Sequence, residues 1–211
     1  MTGTEIRTST PTQLLFRPFD RASGAQALAF GLVVIATTAL LAARTGLQTD
    51  GVLDLHFATG LNSGQLLLQG LINWLSLGLA LLISGRWLAG RDFSSLDLFA
   101  TQAAARWPML LSVLYLSIPP IGQRIRSLTA ELIAAMPSEP GQVMADASHM
   151  LDAFLLTLLG IPLLVFIGWM VWLMFHGYQA VTRLRGLRAG LSFSAALIGA
   201  WVLSKLLMLL L

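Results

Sequence analysis

The sequence predicts an all-α fold, a polytopic transmembrane helix bundle of five spans, and three observations support this fold class. Of the 211 residues, 56% are hydrophobic and only 11% are charged, whereas soluble domains carry about 25% charged residues to keep their surfaces hydrated. The apolar residues are gathered into five long runs. The basic residues outside those runs are divided unequally between the two sides that alternate segments would occupy. A chain of this composition is expected to bury its apolar surface in lipid.

The five predicted spans are apolar runs long enough to cross the hydrocarbon core of a bilayer, which takes about 20 helical residues. They are too long and too uniformly apolar for the strands of a membrane barrel, so we predict helices. The third is the weakest, since Arg106 and Pro108 interrupt it and Pro119 and Pro120 end it. The predicted organisation is an N-terminal segment at 1–24 and a membrane domain at 25–211, with spans at about 25–43, 66–84, 98–121, 152–175 and 190–211.

The distribution of basic residues predicts the orientation in the membrane, because arginine and lysine are concentrated in cytoplasmic loops. The N-terminal segment and the second and fourth loops contain eight basic residues, against three in the first and third loops. These counts predict a cytoplasmic N-terminus and an outer C-terminus, which requires an odd number of spans. All but one of the 13 basic residues are arginine, a bias typical of many bacterial genomes. We therefore expect the inner (cytoplasmic) membrane of a bacterium.

Three shorter segments have the composition of helices or loops that lie at a membrane surface. Residues 14–21 combine apolar side chains with Arg17 and Arg21, which predicts a segment on the anionic inner leaflet. On the outer side, residues 125–136 repeat apolar side chains every three or four positions, and residues 52–57 are rich in them. Loops packed on the end of the bundle are the alternative for each segment.

Polar side chains inside predicted spans are costly in lipid and therefore indicate function or buried pairing. Asn73 and Arg106 lie about 10–15 Å from opposite leaflets, at 1.5 Å per helical residue, and Gln102 precedes Arg106 by one turn. One hypothesis is that Asn73, Gln102 and Arg106 form a buried polar cluster that lines a cavity or binds an anion or a lipid headgroup. The alternative is that Arg106 extends to the inner interface beside Trp107.

Two further features concern how the predicted helices pack. Asp152 begins the fourth span and Lys205 lies near the outer end of the fifth, so their similar depth predicts a salt bridge. The last span has a small residue at every fourth position, a pattern that lets two helices approach closely. Packing within the chain and a homo-oligomer interface are both compatible with this stripe. Its members are Ser192, Ala196, Ala200 and Ser204.

Histidine and carboxylate residues on the predicted outer side have the chemistry to hold a divalent metal. However, no recognised metal-binding spacing, nucleotide-binding loop or nucleophile motif is present, and the chain contains no cysteine. We therefore predict no enzyme, no cofactor and no metal, with an outer-face metal-dependent membrane hydrolase as a secondary alternative. The residues that such a hydrolase would use are Asp54, His56, Asp146, His149 and Asp152.

Three short motifs occur in a characteristic order along the chain. Phe16-Arg17-Pro18-Phe19 precedes the first span, Ala105-Arg106-Trp107-Pro108 interrupts the third, and Gly177–Leu187 leads into the last. In these motifs and their order the chain resembles the bacterial branch of the Yip-domain family, five-span membrane proteins named for their interaction with Rab GTPases. The resemblance implies the same orientation as the charge count and implies no catalytic residues. Because bacteria generally lack Rab partners, it does not imply a trafficking role.

The function expected from these features is that of a non-enzymatic membrane scaffold, or a subunit that binds a partner or lipid. The alternative is a small transporter or channel subunit that uses the polar midplane cluster and the proline-broken helices. The scattered basic residues do not indicate nucleic-acid binding. The expected contacts with membrane lipids or a membrane-protein partner are Arg17, Arg21, Arg183, Arg185 and Arg188.

Overall fold

The computed structural model describes residues 24–49, 51–58, 60–90, 93–134 and 147–210, with side chains from 150 onward in the last range. Within these residues the regular secondary structure is helical apart from one short hairpin. The elements in chain order are α1 (Gly24–Thr45), β1 (Leu47–Gln48), β2 (His56–Phe57), α2 (Ser63–Ala89), α3 (Ser95–Ala104), α4 (Trp107–Ser117), α5 (Pro119–Ala134), α6 (Ala147–Thr182) and α7 (Gly186–Met208).

Four of the helices, α1, α2, α6 and α7, are long and apolar enough to cross a membrane. The predicted all-α bundle of membrane-length helices is therefore confirmed at this level. The predicted N-terminal segment with Arg17 and Arg21, together with Asp146, lies outside the described residues.

The third predicted span is divided into two helices, α3 of 10 residues and α4 of 11. Pro108 lies in the first turn of α4 and has no N–H, so the carbonyl of Ala104 four residues earlier loses its helical donor. Accordingly α3 ends at Ala104, and Ala105 and Arg106 form a turn. The chain then turns again at Ile118, where Pro119 and Pro120 begin α5.

Local signals in the sequence account for the ends of α2. Asn62 and Gln65 form a reciprocal capping box, in which each side chain accepts a hydrogen bond from the other residue's backbone N–H. Gly90 ends the helix in the left-handed conformation at φ 56°, which glycine adopts without steric cost. The 27-residue helix between these caps is the second of the four membrane-length helices.

The helices pack with α1 along α3 and α4, and with α7 along α2. The small-residue stripe of α7 is buried within the chain, since Ser192, Ala196, Ala200 and Ser204 are at most 6% exposed. Near the C-terminal ends of α6 and α2 the Tyr178 hydroxyl of α6 lies 3.1 Å from the Ser192 hydroxyl of α7 and 3.3 Å from the Ser84 hydroxyl of α2. The stripe is therefore used for packing inside one molecule.

The loop between α1 and α2 forms an antiparallel hairpin, with Leu47 opposite Phe57. Its tip enters the bundle, because Val52 is fully buried and belongs to the main core. Irregular backbone is tolerated at this depth in a membrane only where protein surrounds it or where it lines a cavity. The sequence predicts that residues 52–57 contact the membrane surface or pack on the end of the bundle, and the structure packs the hairpin tip between the helices.

The helix α5 is amphipathic, as the spacing of residues 125–136 predicts. Ile125 and Leu128 are buried, and Ile125 packs in one apolar cluster with Leu116 of α4 and Leu66 of α2. Its opposite face is charged and exposed. The helix therefore covers one end of the bundle with its apolar face.

Candidate functional site

A small cavity lies at mid-height in the bundle, between α1, α2, the hairpin tip and the break between α3 and α4. Its polar lining comes from Thr38 of α1, Thr49 of the hairpin, Asn73 of α2 and Arg106 at the break. The cavity has a volume of about 30 Å³, which is room for about one or two water molecules. Asn73 lies ten residues into α2, so the cavity is about 15 Å below the start of that helix.

Among the described residues, Arg106 is the one charged group that lines this cavity, and protein surrounds it. Its side chain is only 7% exposed, and the Nε and Nη2 atoms are buried without a hydrogen-bond partner. Neither ion pair formed among the described residues includes it. The expectation that Arg106 extends to the inner interface does not describe this structure, because the turn at 105–106 directs the side chain into the bundle.

Two other polar groups of the cavity also lack partners. The Thr38 hydroxyl and the Asn73 Oδ1 atom are buried without hydrogen bonds. The Asn73 Nδ2 atom donates to the carbonyl of Thr49 at 2.9 Å, which fixes the hairpin tip against α2. Among the described residues the site therefore combines a cation and a hydroxyl that both lack partners, and the hairpin lies on one side of it.

Gln102 does not join this cluster, although the sequence places it one turn before Arg106. Its Nε2 atom donates to the carbonyl of Met174 in α6 at 3.0 Å, and the side chain is fully buried there. The spacing of four residues places two side chains on one face only in a continuous helix. Because α3 ends at Ala104, Gln102 faces α6 and Arg106 faces α1 and α2. The structure thus brings Asn73 and Arg106 together without Gln102.

The predicted salt bridge between Asp152 and Lys205 is corrected by the structure. Lys205 Nζ lies 2.8 Å from Asp54 Oδ2, and Asp152 Oδ1 lies 3.8 Å from Arg124 Nη2. Lys205 reaches the hairpin because the tip enters the bundle beside α7, where Gly51 packs against Trp201. Asp152 and Lys205 were predicted to lie at a similar depth in the membrane, but a similar depth does not determine which side chains are neighbours.

The Lys205–Asp54 pair attaches the hairpin to the last helix. The hydrogen bond from Lys205 holds the pKa of the Asp54 carboxyl below its usual value. Together with the Asn73–Thr49 hydrogen bond, this pair anchors the hairpin at two points. One anchor is on α2 and the other is on α7.

The residues proposed for a hydrolase do not form a metal site in the part of the chain whose side chains are described. No group of three histidine or acidic side chains there is placed to hold a metal ion. Asp54 pairs with Lys205, and Asp152 lies beside Arg124. Asp146 and the side chain of His149 lie outside the described residues.

The basic residues of the last loop are exposed and close together. Arg183 ends α6 at φ 59°, a left-handed conformation that is uncommon for a residue with a side chain. Arg185 and Arg188 follow at the start of α7, and all three side chains are exposed to the surroundings. Leu187 between them is 77% exposed.

Sequence reasoning missed Thr38 and the hairpin tip as parts of the site. Thr38 is a polar residue in the middle of an uncharged span, and this was a usable signal. The contribution of Thr49 had no signal in the sequence, because it is a backbone carbonyl placed by the fold.

The chemistry available at this site is the binding of a small anion or of water. Arg106 supplies a fixed positive charge and N–H donors, and Thr38 supplies a hydroxyl donor. No family model matches this chain, and neither curated proteins nor solved structures show a significant similarity to it. The resemblance to the Yip-domain family therefore stays a prediction.

Proposed function

We propose that the chain crosses the membrane five times, with α3 and α4 together forming one broken traverse. The support is that this segment runs beside α1 and in the same direction. Gly24 at the start of α1 lies against Asp97 in α3, and Gly31 lies against Ala104 at the break. Further along, α4 packs on the second half of α1. If α1 spans the membrane, a segment that runs beside α1 along its whole length spans the membrane as well.

The proposed orientation has the N-terminus in the cytoplasm and the C-terminus outside, in the inner membrane of a bacterium. Five traverses give the odd number that the eight-to-three split of basic residues requires. The exposed arginines of the loop between α6 and α7 then face the anionic inner leaflet, where each is worth about 1 kcal/mol of attraction.

The function we propose is that of a small transporter or channel subunit that binds an inorganic anion at Arg106. The observation that supports it is an arginine at mid-height in the bundle with buried, unpartnered N–H groups and, among the described residues, no carboxylate paired with it. An uncompensated cation in a membrane interior is expensive, and such residues mark ion pathways. A broken helix beside the site is also typical of transport proteins.

The size of the cavity restricts the anion. A volume of about 30 Å³ accommodates a particle close to a water molecule in size. A halide ion meets this limit, whereas a phosphate or a carboxylic acid would need the hairpin or the helices to move. We therefore take chloride as the probe ion.

The proposal is tested by chloride efflux from liposomes that contain the purified protein, with a potassium ionophore to balance charge. We expect the wild type to exceed protein-free liposomes and Arg106→Met to lose at least about ten-fold of that flux. A hydrogen bond to a charged group is worth about 1.5–3 kcal/mol, and 1.4 kcal/mol is ten-fold. The control is Arg188→Met, which removes an exposed arginine.

A stability measurement separates a functional arginine from a structural one. Removing a buried cation that has no partner relieves a desolvation cost, so Arg106→Met should unfold no more readily than the wild type. Thr38→Val is a milder second variant, which should reduce the flux without disturbing the fold. Wild-type flux equal to that of empty liposomes, or equal flux in Arg106→Met, would overturn the proposal.

A scaffold or partner-binding subunit is the second candidate, and the exposure of α6 favours it. Only 6% of the residues in its apolar stretch are buried, against 28–39% in the other three membrane-length helices. Phe154, Leu164 and Trp172 are among its exposed large side chains. The absence of chloride flux, together with a membrane protein that co-purifies stoichiometrically and is released by Leu164→Arg, would favour this candidate.

A further inference from the structure

A second and larger pocket lies at the C-terminal end of α1, where it meets the turn between α4 and α5. Its volume is about 180 Å³, so it has room for a polyatomic group. Arg44 and Arg126 line it together with the polar residues Ser117 and Gln123, and no acidic side chain in the described part of the chain does so. This pocket is separate from the Arg106 cavity and shares no lining residue with it.

Arg126 is held in position before any ligand binds. Its Nη2 atom donates to the carbonyl of Thr45 at 2.8 Å, and its guanidinium lies 4.9 Å above the ring of Phe57. A guanidinium has five N–H donors in a planar fork, so this hydrogen bond leaves others free for a ligand. Pre-positioning reduces the entropy lost on binding.

The distribution of charge distinguishes this pocket from the rest of its surface. Three arginines, Arg44, Arg124 and Arg126, lie on the side of the chain that has few basic residues. Arg124 is neutralised by Asp152 at 3.8 Å. The other two, which form no ion pair among the described residues, are the two that line the pocket.

We infer that this pocket binds a phosphate group, carried by a phospholipid headgroup or free in solution. Guanidinium groups match phosphate geometry with paired hydrogen bonds, and Arg44 and Arg126 supply two such groups around one opening. Leu114 of α4 and Ile118, which directly follows that helix, are exposed, and an acyl chain can lie along them. This apolar surface beside the pocket favours the lipid as the source.

The inference is tested by native mass spectrometry of the detergent-solubilised protein during titration with phosphatidylglycerol. We expect Arg44→Gln and Arg126→Gln each to weaken lipid binding about ten-fold, which corresponds to the loss of one charged hydrogen-bonding group. Arg44→Gln is the cleaner variant, because Arg44 makes no hydrogen bond or ion pair in the described part of the chain. The matched control is Arg124→Gln, two residues from Arg126 and outside the pocket, which should bind like the wild type.

Calorimetric titration of the same variants with inorganic phosphate distinguishes the two sources. Phosphate binding that depends on Arg44 and Arg126 supports a site for the free ion, whereas lipid binding without phosphate binding supports the headgroup. Binding of neither probe would overturn the inference, as would an equal loss in Arg124→Gln. None of these readouts requires chloride flux, so this site and the Arg106 site can fail independently.

Discussion

Gly31 provides a direct test of the packing that places the broken segment beside α1. A Cβ atom added at Gly31 would lie 2.5 Å from the backbone nitrogen of Ala104 and would also overlap the Ala103 carbonyl carbon. Ordinary van der Waals contact begins near 3.4 Å, so the helices would have to separate by at least about 0.9 Å. Backbone atoms cannot rotate away as a side chain can. Gly31→Ala therefore forces α1 away from the break.

The expected cost of Gly31→Ala is about 3 kcal/mol, the upper end of the range for overpacked interiors. Alanine favours a helix over glycine by up to about 1 kcal/mol, so the observed loss should be about 2 kcal/mol. The assay is unfolding by SDS titration in mixed micelles, monitored by helical circular dichroism. Gly168→Ala is the control, because a Cβ at Gly168 in α6 meets nothing within 4 Å. Equal stability of the two variants would refute the close packing of α1 on α3.

Two further predictions concern the hairpin and Gln102. Because Lys205 lowers the pKa of Asp54 in the folded state, the pair stabilises the fold above the ordinary carboxyl pKa and ceases to do so as the pH falls through the lowered value. Thermal unfolding of wild type and Asp54→Asn should therefore differ by about 1 kcal/mol at pH 7 and converge under acid conditions; a constant difference would contradict the pair. Gln102→Met should cost only about 0.6 kcal/mol, because it also removes the unpaired Oε1 atom, and it should leave chloride flux unchanged. A flux defect as large as that of Arg106→Met would place Gln102 in the site after all.

The fold class could be read from the sequence because lipid imposes a simple requirement on it. In lipid, the backbone N–H and C=O groups of a long uncharged run must form hydrogen bonds with one another. Apart from a closed β-barrel, only a helix meets this requirement. The break in the third segment could also be anticipated, since Pro108 removes a donor and Pro119 ends the next helix. Proline acts on the backbone locally, so its effect does not depend on the neighbouring helices.

The candidate site could be predicted only in part. Asn73 and Arg106 stood out because polar side chains are rare in spans, and each was a correct pointer to the cavity. The inclusion of Gln102 was wrong, because helical periodicity was carried across a turn that interrupts the helix. The partner of Lys205 was also wrong, since residues at equal depth can lie on different sides of a bundle.

By itself the sequence determined that this chain forms apolar helices of membrane length, because hydrophobic runs and prolines act through local physical chemistry. Only the tertiary structure decided that the first loop returns into the bundle and that Thr38, Thr49 and Asn73 surround Arg106. Only it decided that two arginines distant in sequence, Arg44 and Arg126, share one pocket. The physical reason is that charge partners and cavities depend on how helices rotate and approach one another. That arrangement is set by close packing between segments distant along the chain.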